Sequence, residues 1–103
     1  MNKKNGCVVV TYFPDNGFEE RLKIVLLQVN KVVIVDNGSD ELTLIKIQNF
    51  ALTNSNIHLI RNNENFGIAK ALNIGCQYLL ENKYLFALLL DQDSTITEDM
   101  VKS

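Results

Sequence analysis

Two carboxylates one residue apart, Asp91 and Asp93, close an apolar run over residues 85–90. A run of that length and composition predicts a buried strand. On an extended backbone alternate side chains fall on the same side, so Asp91 and Asp93 can address one point. Open α/β sheets bind their ligands at the carboxyl ends of the strands. Hard oxygen donors placed there suit a divalent cation, Mg or Mn, shared with a substrate phosphate. The same letters also describe a solvated acidic turn after a core strand, and two letters do not choose between these.

Other polar residues stand at comparable places. Asp36-Asn37-Gly38-Ser39 follows a second apolar run. A carboxylate there can accept from a base N–H or a ribose hydroxyl, although an Asx turn with a helix cap accounts for the same residues. Thr11 and Tyr12 end the first run, as a strand end with an aromatic at the core's edge. Arg61 follows the third run, where it can meet a phosphate or remain a solvated charge. His58 stands alone on that run, has no partner motif and reads as a structural or surface residue. The stretch from Asn63 to Gly75 is rich in small residues. Its helix start favours anions, and Gly67 permits close approach. Gly75 and Ala71 read as tight helix–sheet packing, and Asn73 as an amide with a specific partner.

The elements that must position these residues follow from the pattern. Residues 7–12 are β-branched and predict a strand. Residues 14–17, Pro-Asp-Asn-Gly, are a turn. Phe18, Leu22, Val25, Leu26 and Val29 then mark a helical stripe. Residues 31–36 predict the second strand. Ser39 is the expected cap of a helix over residues 40–52, whose apolar pattern is blurred. A short third strand covers residues 57–60. A helix is expected over residues 66–80, with Ile68, Ala71, Leu72, Gly75 and Leu79 along one side. A fourth strand is expected over residues 83–90, and Thr97 caps the start of a further helix. The order βαβαβαβ predicts a three-layer α/β/α domain with a parallel four-stranded, Rossmann-like sheet.

Composition narrows the classes. At 103 residues the chain suffices for one small domain with one core. A net charge of −2 and the absence of a basic block speak against nucleic acid as partner. Cys7 and Cys76 lack metal-ligand spacing and read as reduced thiols of a cytoplasmic protein. No stretch approaches the roughly 20 apolar residues of a transmembrane segment. The dinucleotide fingerprint is absent, since residues 13–18 hold one Gly. A receiver domain would carry acids where Thr11 and Tyr12 stand.

Taken together, the motifs resemble the inverting nucleotide-sugar glycosyltransferases of family 2, which have the GT-A fold. The resemblance rests on Val8-Val9-Val10-Thr11-Tyr12-Phe13-Pro14, Val35-Asp36-Asn37-Gly38-Ser39, Asn65-Phe66-Gly67-Ile68-Ala69 with Asn73-Ile74-Gly75, and Asp91-Gln92-Asp93. It covers essentially the whole chain. Residues 65–69 and 90–94 are particularly similar to the rhamnosyltransferase branch, whose donor is a thymidine diphosphate sugar. The resemblance implies that Thr11, Tyr12 and Asp36 hold base and ribose, with Arg61 near the donor and Gly67 bordering the nucleotide pocket. It implies Asp91 beside ribose and sugar, and Asp93 as the nearer ligand of Mg or Mn. The metal would neutralise charge on the leaving diphosphate. Many members carry Arg immediately before the Asn of the helix motif; here that residue is Leu72, so any contact of that Arg is in doubt.

The resemblance also implies a general base well downstream of Asp93. On this reading residues 1–103 form a single, truncated nucleotide-sugar-binding domain. It would be inactive alone, with a parent enzyme that transfers a sugar to a polysaccharide or lipid-linked acceptor. The expected partner is a thymidine or uridine diphosphate sugar. The expected location is cytoplasmic, at the inner membrane face for the parent. The last strand is expected to form a sheet edge open to self-association. Two rivals remain. One is a phosphatase of the haloacid-dehalogenase type with Asp91 as nucleophile, whose motif normally opens its domain. The other is a non-catalytic nucleotide-binding or interaction fragment.

Overall fold

A computed structural model describes residues 5–84 and 86–91. Among these residues seven elements alternate strictly: β1 (Asn5–Thr11), α1 (Phe18–Leu26), β2 (Lys31–Asp36), α2 (Glu41–Leu52), β3 (Ile57–Arg61), α3 (Ile68–Glu81) and β4 (Phe86–Asp91). All four strands are parallel, in the order β3-β2-β1-β4. The expected α/β/α architecture with four parallel strands is therefore present.

The order dictates the layers. From β1 to β3 the chain steps outward one strand at a time; from β3 it returns across the sheet to the far side of β1. Crossovers between parallel strands are right-handed, so reversing direction moves the connecting helix to the other face. One face accordingly packs Cys7, Val9, Val32 and Ile34 against Phe18, Leu22 and Val25 of α1 and Ile47 and Phe50 of α2. The other packs Val8, Val10, Val33 and Val35 against Ala71 and Leu79 of α3. Burial on both faces explains why β1 and β2 read as continuous apolar runs. It also explains Cys7, whose thiol burial pushes up to about 12. Both cysteines are free.

Several local expectations are corrected. The cap of α2 is Asp40, whose carboxylate accepts from the Thr43 N–H at 3.0 Å; Ser39 is occupied elsewhere. The fourth strand starts at Phe86, not residue 83, because α3 runs to Glu81 and closes with a Schellman arrangement. There the Tyr84 N–H reaches the Leu79 carbonyl at 2.9 Å and Lys83 sits at φ 66°. A lysine in the place usually held by glycine left no sequence signal. Ile68, expected on the packed side of α3, is half exposed, and Asn73 lies on the exposed side. His58 is structural, as expected: its ring stacks on Tyr78 of α3, centroids 4.2 Å apart and planes within 8°.

Candidate functional site

The strand order reverses between β1 and β4, which makes this the topological switch point, the place where open α/β sheets bind their ligands. Thr11 ends β1 on one side of this switch point, and Asp91 ends β4 on the other, in register with Val10. Asp36 lies level with Thr11, and Arg61 level with Asp36. The polar residues at the four strand ends thus form one row. Asp93 lies outside the described residues.

Two members of the row, Thr11 and Asp36, form the centre of a buried polar knot. Thr11 is 0% and Asp36 1% exposed. Such a carboxylate persists only when its oxygens are satisfied. Asp36 Oδ1 accepts from Thr11 Oγ1 at 2.6 Å and Ser39 Oγ at 2.7 Å. Its Oδ2 accepts from the N–H groups of Ser39 at 2.8 Å and Gly38 at 3.1 Å. Four donors saturate the carboxylate. Asp36 therefore shapes the loop, and a ligand would reach it only by displacing one of these donors.

Two further residues, Phe13 and Asn37, extend the knot; the sequence placed both in motifs but gave neither a role in the site. Ser39 Oγ also accepts from the Phe13 N–H at 2.8 Å, and Phe13 sits at φ 48°. A bulky residue in the left-handed region has to be held there by its surroundings. The consequence is a pair of half-exposed rings, Tyr12 and Phe13, edge to face with centroids 4.8 Å apart. Asn37, 3% exposed, donates through Nδ2 to the Gly67 carbonyl at 3.2 Å and accepts at Oδ1 from Asn62 Nδ2 at 2.8 Å. It ties the end of β2 to the start of α3 and to the loop after β3. Asn37 was legible as polar, but its aptitude for a turn concealed this role.

Gly67 stands at φ 86°, ψ 160°, a conformation open essentially to glycine alone, and a Cβ built there would meet nothing within 4 Å. The space beside it is open, so its requirement is conformational. Close approach occurs instead at Gly75. Arg61 is exposed, and Lys70, in the first turn of α3, lies over the Phe66 ring at 4.4 Å. Among the described residues no group of three or more His, Cys, Asp or Glu is placed to hold a metal. A separate cleft of about 180 Å³ opens between α1 and α2, lined by Asp15, Phe18, Glu19, Lys46, Ile47 and Phe50 among others, and holds none of the row residues.

A row of polar strand ends across a switch point is the setting of a nucleotide-type ligand, and the family follows from comparison. Residues 7–103 match the glycosyl transferase family 2 profile. The chain belongs to glycosyl transferase family 2. It is 36% identical over 103 residues to the dTDP-rhamnosyl transferase RfbF of Shigella flexneri, covering 99% of this chain and 33% of RfbF. It is 33% identical over 91 residues to an uncharacterised protein of Methanocaldococcus jannaschii, covering 82% of this chain and 40% of that protein. The chain thus spans between a third and two fifths of the length of these relatives. Among solved structures, TarS of S. aureus (residues 1–349) superposes with a TM-score of 0.75 at 25% identity, over 96% of this chain and 30% of that one. The mannosyltransferase PcManGT of Pyrobaculum calidifontis, in complex with GDP-Man and Mn2+, has the same TM-score at 23% identity, with the same coverage. The fold is thus that of the GT-A glycosyltransferases. No helix among the described residues is long and apolar enough to cross a membrane.

Proposed function

We propose that this chain is the donor half-site of an inverting glycosyltransferase, binding a thymidine diphosphate sugar, rhamnose in the first instance, at the β1–β4 switch point. The observation that carries the reading is the register of β4 on β1, which brings Asp91 beside the end of β1 and its Thr11-Tyr12-Phe13 turn. Support for the thymidine nucleotide and for rhamnose comes from the relationship to RfbF over the whole chain.

Each residue has a task in this reading. Tyr12 and Phe13 offer ring faces to the base, and base–aromatic stacking contributes about 1–3 kcal/mol. Thr11, Asp36, Ser39 and Asn37 hold the loop rigid, so that little ordering entropy is lost on binding. Gly67 leaves open space beside the nucleotide, and Arg61 answers phosphate charge. The donor set fits a hard cation: Asp91 ends β4 at the switch point, and Asp93 follows two residues on. Mg or Mn bound there would supply Lewis-acid stabilisation of the leaving diphosphate. Proton removal from the acceptor hydroxyl falls to a base elsewhere in the longer protein. The acceptor is a polysaccharide or lipid-linked glycan at the cytoplasmic membrane face.

Calorimetry tests the site on this chain. Thymidine diphosphate should bind more tightly with Mn than without. Asp93→Asn should weaken the diphosphate at least about tenfold while leaving thymidine unchanged, because the cation screens only the diphosphate. Equal losses for the two ligands would make Asp93 structural and overturn the assignment.

A further inference from the structure

The blurred apolar pattern of α2 has a structural cause: the helix is apolar on two opposite sides. Leu44, Ile47 and Phe50 are buried against the sheet. On the outward side Leu42 is 72%, Ile45 44% and Leu52 84% exposed, and Asn49 is exposed between them. Leu42, Ile45, Asn49 and Leu52 are spaced three, four and three residues apart. That is the seam of a two-stranded coil, with Leu42 and Asn49 at one seam position and Ile45 and Leu52 at the other. At 3.6 residues per turn this stripe lies about half a turn from the core stripe, so the sheet does not obstruct it.

We infer that α2 pairs through this stripe, parallel and in register, with α2 of a second copy of this chain. The flanking charges select that occupant. Glu41 and Lys46, both exposed, border the stripe on opposite sides, five residues apart. In a parallel pair each Glu41 faces the Lys46 of the other copy, twice by symmetry. An antiparallel pair would bring the two Lys46 side chains together. A lone Asn at the inward seam position lowers stability but fixes the register and the two-stranded state, since it meets its own counterpart. With one acid and one base beside the stripe, the face lacks the basic surplus that draws a helix onto an anionic bilayer.

Sedimentation equilibrium over a concentration series of the full chain tests this. The wild-type chain should show a monomer–dimer equilibrium. Glu41→Lys and Lys46→Glu should each raise the dimer dissociation constant about tenfold, since two attractive pairs become repulsive. Combining both changes in one chain should restore wild-type affinity. Mixing the two single variants should give heterodimers, because every cross-pair is then attractive. All the positions are exposed, so each variant should remain folded, with an unchanged far-ultraviolet circular dichroism spectrum. Three outcomes would overturn the inference. One is a wild-type chain that stays monomeric. Another is association indifferent to the swaps, as pairing at the β4 edge would be. The third is a monomer that binds anionic phospholipid vesicles and loses that binding with Ile45→Asp.

Discussion

The Thr11 hydroxyl donates to Asp36 Oδ1 at 2.6 Å, joining the ends of two neighbouring parallel strands by their side chains. Both residues are buried, so nothing from solvent replaces this bond when it is removed. Thr11→Val keeps the shape and deletes the donor. It should lower stability by about 1.5–3 kcal/mol, the range for a hydrogen bond to a charged group. Asp36→Asn should cost at least as much, because an amide cannot accept four donors. Urea unfolding should show a lower midpoint with an unchanged slope. A Thr11→Val midpoint equal to wild type would mean that the knot does not brace the strand ends.

Gly75 sits where α3 crosses the sheet. A Cβ there would collide with Val8 Cγ1 and lie 3.2 Å from Val35 Cγ2. Alanine would gain about 1 kcal/mol of helix propensity over glycine. Overpacking a closed core costs typically 1–3 kcal/mol, more when backbones must part. Packing should prevail, and Gly75→Ala should be net destabilising. Pairing it with Val8→Ala should recover part of the loss relative to Val8→Ala alone, a double-mutant cycle that shared space predicts. Strict additivity of the two changes would count against the close approach.

His58 contributes a pH dependence. Burial, and secondarily the charge of Lys31, hold its imidazole below the ordinary value of 6.5. In the unfolded chain it takes up a proton first as pH falls. Between 6.5 and the lowered folded value the unfolded state binds more protons, so stability falls with falling pH. Above that window the residue is neutral in both states and contributes no slope. Thermal unfolding of wild type and His58→Gln between pH 7.5 and 5 should therefore converge as pH falls. Parallel curves would show that His58 titrates alike in both states.

How much of this was legible in the chain depends on the range of the interactions involved. The strands, the helices and their alternation are local matters of period and composition, and β2 fell at its expected bounds, Lys31–Asp36. Strand ends and polar residues coincide in the sequence itself, which is why Thr11, Asp36, Arg61, Asp91 and Asp93 read as a cluster at the strand ends from the sequence alone; Asp93 lies outside the described residues. The small residues of α3 likewise announced tight packing, which is found at Gly75 as expected, whereas the close approach expected at Gly67 is absent and the space there is open.

The partners of each residue are another matter. Strand order is a choice among topologies with the same βα alternation. Only the return of α3 across the opposite face set β4 beside β1 and brought Asp91 level with Val10. Hydrogen bonds between residues 25 or 30 positions apart, such as Thr11 to Asp36 and Asn37 to Gly67, leave no periodic trace. Ser39 shows the limit most clearly. Its local sequence favours a helix cap, yet its hydroxyl serves Asp36 and Phe13, because a buried carboxylate claims the nearest donor and leaves Asp40 to cap the helix.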